Sequence, residues 1–415
     1  MQEPAVAHDP YASLRIANYR WFILSMAFAT LGMQMQGLAV AWQVYARTGD
    51  PLALGLVGLA EALPFIALAL FGGHTADRRN RLHIAMVTNL SLGLCAVVLW
   101  AFSWRFQTGP LATAVWPIYG VIFLTGVVRA YHRPATTALA AELLPKALYA
   151  NGSTWRVAVF HACVVLGPAL GGLIYAAWGP VLSQAVVMAL LALGLGALAF
   201  IRHDPKPVEP REGSIFASLG EGLRFVFAQR LLLGAISLDL FAVLFGGAVA
   251  VLPIFAKDVL HTGPQGLGAL RAAPAVGSVL MGVAMAHLPP LRRAGRTLLA
   301  CVAAFGLCMI AFALSRSFAL SLLLLAASGA VDNVSVVLRS TLLQMVTPKH
   351  MLGRVSSVNQ VFIGSSNEIG AFESGVAARF LGLIPSVVFG GCMTLLVVLG
   401  TAWKLPELRR MDRIE

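Results

Sequence analysis

Apolar and polar positions alternate along this chain on the scale of whole segments rather than single residues. Apolar runs occupy residues 21–46, 52–74, 82–104, 114–139, 153–178, 180–201, 231–256, 265–288, 297–315, 318–342, 354–380 and 383–404. At a rise of about 1.5 Å per residue each is long enough to cross roughly 30 Å of hydrocarbon as a helix. The pattern therefore predicts an all-α membrane protein with twelve transmembrane helices. The polar interruptions are short except for Arg202 to Arg230. That stretch opens with Asp204-Pro205-Lys206-Pro207 and closes with Ile215, Leu219, Leu223 and Val226 at helical spacing beside Glu221 and Arg224, the mark of an amphipathic interfacial helix. The expected organisation is an N-terminal six-helix unit (1–201), a cytoplasmic linker with its interfacial helix (202–230), and a C-terminal six-helix unit with a cytoplasmic tail (231–415). The first twenty residues are polar, with Glu3, Asp9 and Pro10, and no cleaved signal peptide is expected.

Composition agrees with this class and changes one reading of it. The chain is 58% hydrophobic and 12% charged, whereas soluble domains carry roughly 25% charged residues. A net charge of +12 would suggest nucleic acid in a soluble protein, but here the bases gather in short turns between apolar runs. Counted on alternate turns, twenty Lys and Arg lie on the side of the termini, and four (Arg47, Arg105, Lys257, Arg316) lie on the other. The positive-inside rule then puts both termini in the cytoplasm. The five cysteines all lie within apolar runs and lack metal-ligand spacing, so neither a disulfide framework nor a metal site is expected. No cofactor and no nucleic-acid partner are expected, and the unit is expected to work as a monomer.

The two halves are copies of one another. Pro145-Lys146 recurs as Pro348-Lys349, Ser153 as Ser356, Gly167 as Gly370 and Gly172 as Gly375, all at an offset of 203 residues. A fixed offset over such a length points to duplication of a six-helix unit.

Between the second and third spans the chain reads Gly73-x-x-x-Asp77-Arg78-x-x-Arg81, with Asn80 and Leu82 inside and after it. This resembles the signature loop of the major facilitator superfamily of secondary transporters, in which a Gly stands at the position of Asn80 and a basic residue at that of Leu82. Asn tolerates the positive φ that such a Gly supplies. Arg293-Ala294-Gly295-Arg296 is a degraded second copy with Arg292 in the place of Asp77. On the fifth span, Gly167-Pro168-x-x-Gly171-Gly172 resembles the stretch associated with exporters of this superfamily, although Cys163 replaces its earlier Gly; close small-residue packing of an ordinary membrane helix is the alternative. Four further stretches resemble the branch that includes enterobactin exporters and macrolide efflux proteins: 237–247, Leu270-Arg271-Ala272-Ala273-Pro274, 367–375 and Pro406-Glu407-Leu408-Arg409-Arg410. The resemblance implies two pseudo-symmetric six-helix bundles around a central cavity and proton-driven export of small organic molecules such as drugs or siderophores by alternating access, across the inner membrane of a bacterium. A transport-dead sensor or receptor, or a uniporter of the same fold, is the alternative.

Ionisable residues inside the spans are the candidates for mechanism, since each costs on the order of 3 kcal/mol at the bilayer centre. Proton coupling is expected first at Asp239 and Glu368, with Glu61 and Glu373 behind them; the alternative role is to anchor Arg271 or Arg339 in a buried pair. Gln36 and Gln43, seven apart on one face of the first span, join Arg271, Asp332 and Arg339 as candidates for the substrate cavity. Asp77, with Arg78 and Arg81, is expected to form a conformational latch, through Arg129 or Arg133 and through the start of the eleventh span near Arg354 to Ser357. Sequence motifs for intramembrane hydrolysis or ATP binding do not occur, so no enzyme is expected.

Overall fold

The computed structural model describes residues 9–105, 114–202, 215–287, 293–348 and 351–411. Lys349, Arg292 and the Asp204–Pro207 turn fall outside these residues, as do the side chains of Ile215 and Leu219. Among the described residues the chain is helical throughout its ordered elements and has no strand. The membrane helices are α1 (Ala17–Thr48), α2 (Pro51–Arg78), α3 (Arg81–Arg105), α4 (Trp116–Glu142), α5 (149–178), α6 (180–199), α7 (Arg230–Val259), α8 (Gly263–His287), α9 (Ala294–Leu314), α10 (Phe318–Val346), α11 (Leu352–Leu381) and α12 (Leu383–Lys404).

Local chemistry sets the breaks between them. Gly49 ends α1 in the left-handed region at φ 61°, and Asp50 then caps α2 by accepting from the Leu52 N–H at 3.0 Å, with Pro51 in the first turn. Gly179 at φ 76° reverses the chain between α5 and α6, and Gly382 at φ 88° does so between α11 and α12. These two glycines stand at the same 203-residue offset as the sequence repeat, so the duplication extends to the backbone. Asn80 does not take the positive φ expected of it. Its side chain instead caps α3, accepting from the N–H groups of Leu82 and His83 at 3.0 and 3.2 Å. The seventh span is also less regular than expected. Its α-helix stops at Gly246, a π turn closes it at Phe255–Val259, and the Gly247 carbonyl freed by the break accepts from the Ser374 hydroxyl of α11 at 2.8 Å.

Helices α1–α6 and α7–α12 form two bundles that meet crosswise, α5 against α8 and α2 against α11. Glycine permits both contacts. A methyl group at Gly172 would lie 2.5 Å from the Pro264 carbonyl oxygen, and one at Gly375 would lie 2.6 Å from the Gly55 Cα. Both contacts lie in the half of the molecule away from the termini. There one apolar core runs through both bundles, joining Leu38, Val44 and Phe102 to Val251, Phe255, Leu270 and Phe312. At the terminal end the bundles keep separate cores, one around Tyr19, Phe22 and Leu139 and another around Leu238, Leu298 and Leu338. The bundles are thus sealed at one end and parted at the other. The linker helix, Ile215–Ala228, lies on the second bundle. Val226 is fully buried among Leu232, Ile236, Val355 and Val358, and Glu221 pairs with Arg354 at the start of α11. Its apolar face is therefore occupied, at Val226, by protein.

Candidate functional site

The centre of the molecule is organised by the approach of α2 to α4. A methyl group at Gly126 would lie 2.4 Å from the Glu61 carbonyl oxygen and 2.8 Å from the Pro64 ring, so the two backbones touch there. Three residues further along α4, Arg129 is brought beside Glu61, and the two form an ion pair. The same guanidinium nitrogen lies 3.8 Å from the Glu368 carboxylate on α11. One cation thus stands between two carboxylates, one from its own bundle and one from the other. One turn on, the Arg133 guanidinium lies over the Phe65 ring at 5.4 Å.

The second bundle holds a cluster of similar make-up but different placement. Arg339 on α10 pairs with Asp239 on α7, lies 3.9 Å from Asp332 of its own helix, and donates from Nε to the Ser335 carbonyl at 3.2 Å. Arg339 and Asp239 are each only 12% exposed, and neither pairs with the first bundle among the described residues. Asp239, expected with Glu368 to lead proton coupling, pairs with Arg339, a contact that its alternative role as an anchor also requires. Glu373, five residues beyond Glu368, forms no ion pair among the described residues.

The other candidates also find their places. Gln43 bonds to Ser103 of α3 at 3.1 Å, which directs it into the first bundle rather than between the bundles, and Gln36 is buried. Gly167 and Gly171 let α5 close on Gln34 and Met35 of α1, while Gly172 and the Pro168 carbonyl face α8. The exporter-like stretch therefore joins three helices. Asp77 is 56% exposed and 3.9 Å from Arg81. Among the described residues it pairs neither with Arg129, which Glu61 engages, nor with α11, whose Arg354 is taken by Glu221; the Ser357 side chain lies outside those residues. Arg81 pairs instead with Glu142 at the end of α4 and donates from Nε to the Ala76 carbonyl at 3.1 Å, and Arg78 is exposed.

Sequence reasoning missed the polar ties at the sealed end. Arg379 of α11 reaches Asp50 at 3.2 Å, the Tyr45 hydroxyl donates to Asp258, and the Lys257 ammonium lies 5.2 Å from the Tyr45 ring centre. Asp50-Pro51 is legible as a helix start, but nothing in the sequence marks its distant partner.

A family model described as transmembrane secretion effector matches residues 8–415. The chain belongs to this family of the major facilitator superfamily. Similar family members include the multidrug efflux pump Tap of Mycolicibacterium fortuitum, 26% identical over 408 residues, which cover 94% of this chain and 97% of that protein. The enterobactin exporter EntS of Salmonella typhimurium is 26% identical over 394 residues, covering 94% of this chain and 93% of its own. Solved structures share the fold. A nucleoside transporter, NupG, superposes with a TM-score of 0.73 at 11% identity, covering 93% of this chain and 99% of its own. A transporter of the POT family in complex with 5-aminolevulinic acid gives 0.74 at 12% identity, covering 94% and 96%. The family and its relatives are transporters, and this chain is a multi-pass membrane protein of that kind.

Proposed function

We propose that this chain exports small organic molecules, drugs or siderophores among them, across a bacterial inner membrane in exchange for protons. The observation that carries this reading is Arg129, shared between Glu61 of its own bundle and Glu368 of the other. With Glu368 ionised the guanidinium ties the bundles at mid-membrane. A proton on Glu368 cancels that attraction and lets the bundles rock, which is how a proton gradient drives alternating access. Glu61 keeps Arg129 paired throughout, and Glu373 on the same helix is a second carboxyl for the proton to visit.

The excess of basic residues at the terminal end supports a cytoplasmic location for both termini, so the parted end faces the cytoplasm, where an exporter loads. Asp77, with Arg78 and Arg81, latches the opposite conformation; in this one its carboxylate is more than half exposed and lies 3.9 Å from Arg81. The working unit is a monomer with rigid bodies at 1–201 and 231–415 joined by 202–230, the linker helix travelling with the second body.

The test uses the purified protein in liposomes with an imposed pH gradient. Wild type should drive substrate uphill, whereas Glu368→Gln should lose gradient-driven transport by at least tenfold and retain substrate exchange. Retention of gradient-driven transport in that variant would falsify the assignment of coupling to this site.

A further inference from the structure

The two bundles carry the same structural joint with exchanged charges. In the first, Glu61 stands three residues before Pro64 on α2, and α4 approaches through Gly126 with Arg129 three residues later. In the second, Arg271 stands three residues before Pro274 on α8, and α10 approaches through Gly329 with Asp332 three residues later; a methyl at Gly329 would lie 1.9 Å from the Pro274 carbonyl oxygen. Gly126 and Gly329 share the 203-residue offset. An acid–base pair in one copy thus corresponds to a base–acid pair in the other.

Only the first pair is made. Asp332 turns to Arg339, while Arg271 forms no ion pair among the described residues. Its Nε is buried without a hydrogen-bond partner. Its Nη1 points across the bundle interface toward Gly37 of α1, 3.7 Å from where a side chain there would begin. The absence of a side chain at Gly37 leaves the guanidinium uncovered on that side. A cation held within a membrane helix without a counter-charge is costly, and this one lies in the sealed half of the molecule, beside Leu270 and Ala273 of the apolar core that both bundles share.

We propose that Arg271 receives an anionic group of the transported molecule, so that the substrates of this transporter include amphipathic organic carboxylates. The proposal rests on the exporter reading above but is tested separately from it. Guanidinium and carboxylate match in geometry as well as charge, which makes the contact selective for an acid over its neutral ester.

The probes are rhodamine B, which has a free carboxylate, and its ethyl ester, which has the same ring system without it. Binding to the full-length protein in nanodiscs is followed by fluorescence anisotropy, and counterflow in proteoliposomes is measured in parallel. Wild type should bind the acid about tenfold or more tighter than the ester. Arg271→Gln should abolish that preference, and a monodisperse size-exclusion peak of the purified variant reports an intact fold. Arg271→Lys should keep part of the preference. Equal loss of both dyes in Arg271→Gln, absence of a preference in wild type, or no binding of the acid overturns the assignment. Discriminating binding without counterflow of either dye removes the exporter reading and leaves Arg271 as an anion site. Counterflow of both dyes without discrimination does the reverse.

Discussion

Each bundle holds one arginine between two carboxylates, and the two clusters differ in how they lie relative to the bundle interface. Arg129 has one acid on its own side and one across the gap, so its energy depends on how the bundles sit. Arg339 has both acids within the second bundle, so its energy is nearly the same in any arrangement of the two bodies. Composition alone does not separate a structural ion cluster from one able to sense motion. The relation of each partner to the moving boundary does.

This contrast can be broken most directly at Arg339. Arg339→Leu strands a buried Asp239 and should cost about 3–5 kcal/mol, read as a marked drop in thermal midpoint and in folded yield. Adding Asp239→Leu should restore most of the loss. A single mutant as stable as wild type would mean that the second cluster is not structural. The sealed end offers the next largest effect. Gly375→Leu forces a side chain into the Gly55 backbone and should destabilise this conformation by about 1–3 kcal/mol, lengthening the distance between spin labels at Arg47 and Phe380 in pulsed resonance. An unchanged distance distribution would show that the α2–α11 contact does not hold this state together.

Arg129→Gln sharpens the comparison further. Gradient-driven transport should fall at least tenfold, about 1.4 kcal/mol in barrier terms, while the thermal midpoint drops less than for Arg339→Leu. Equal thermal losses in the two variants would erase the distinction between the clusters. The smallest effect is expected at Arg379. Its pair with Asp50 is exposed and worth about 0.2–1 kcal/mol, so Arg379→Gln should shift the conformational balance by a few-fold at most, detectable as faster cysteine labelling near Tyr45. A loss of folding in that variant would assign the pair a structural weight its exposure does not suggest.

The sequence made the helices legible because membrane solvation imposes long apolar runs, and the Gly179-Pro180 break fell where the run pattern put it. The duplication was legible for a similar reason: the glycines at 172 and 375 are fixed by backbone contact, which tolerates no side chain. Partners were much less legible. Asp50 and Arg379, or Arg81 and Glu142, are brought together by helix packing, and neither spacing nor periodicity carries that information. The depth of Asp239 in the membrane is legible from its place in the seventh span, but its partner Arg339 on α10 is not. Asn80 illustrates a local ambiguity: the same residue type serves as a positive-φ substitute for glycine or as a helix cap, and only the start of α3 decides between them.

The guanidinium of Arg271, without an ion pair among the described residues, has a consequence for energetics that binding alone does not express. A transporter that releases a monoanion outward for each proton taken in moves the equivalent of two positive charges inward per cycle. At about 2.3 kcal/mol per charge for each 100 mV, a negative-inside membrane potential then contributes nearly 5 kcal/mol per 100 mV to export. Such a pump would continue to clear acids at neutral external pH, where the proton concentration difference has vanished and only the voltage remains.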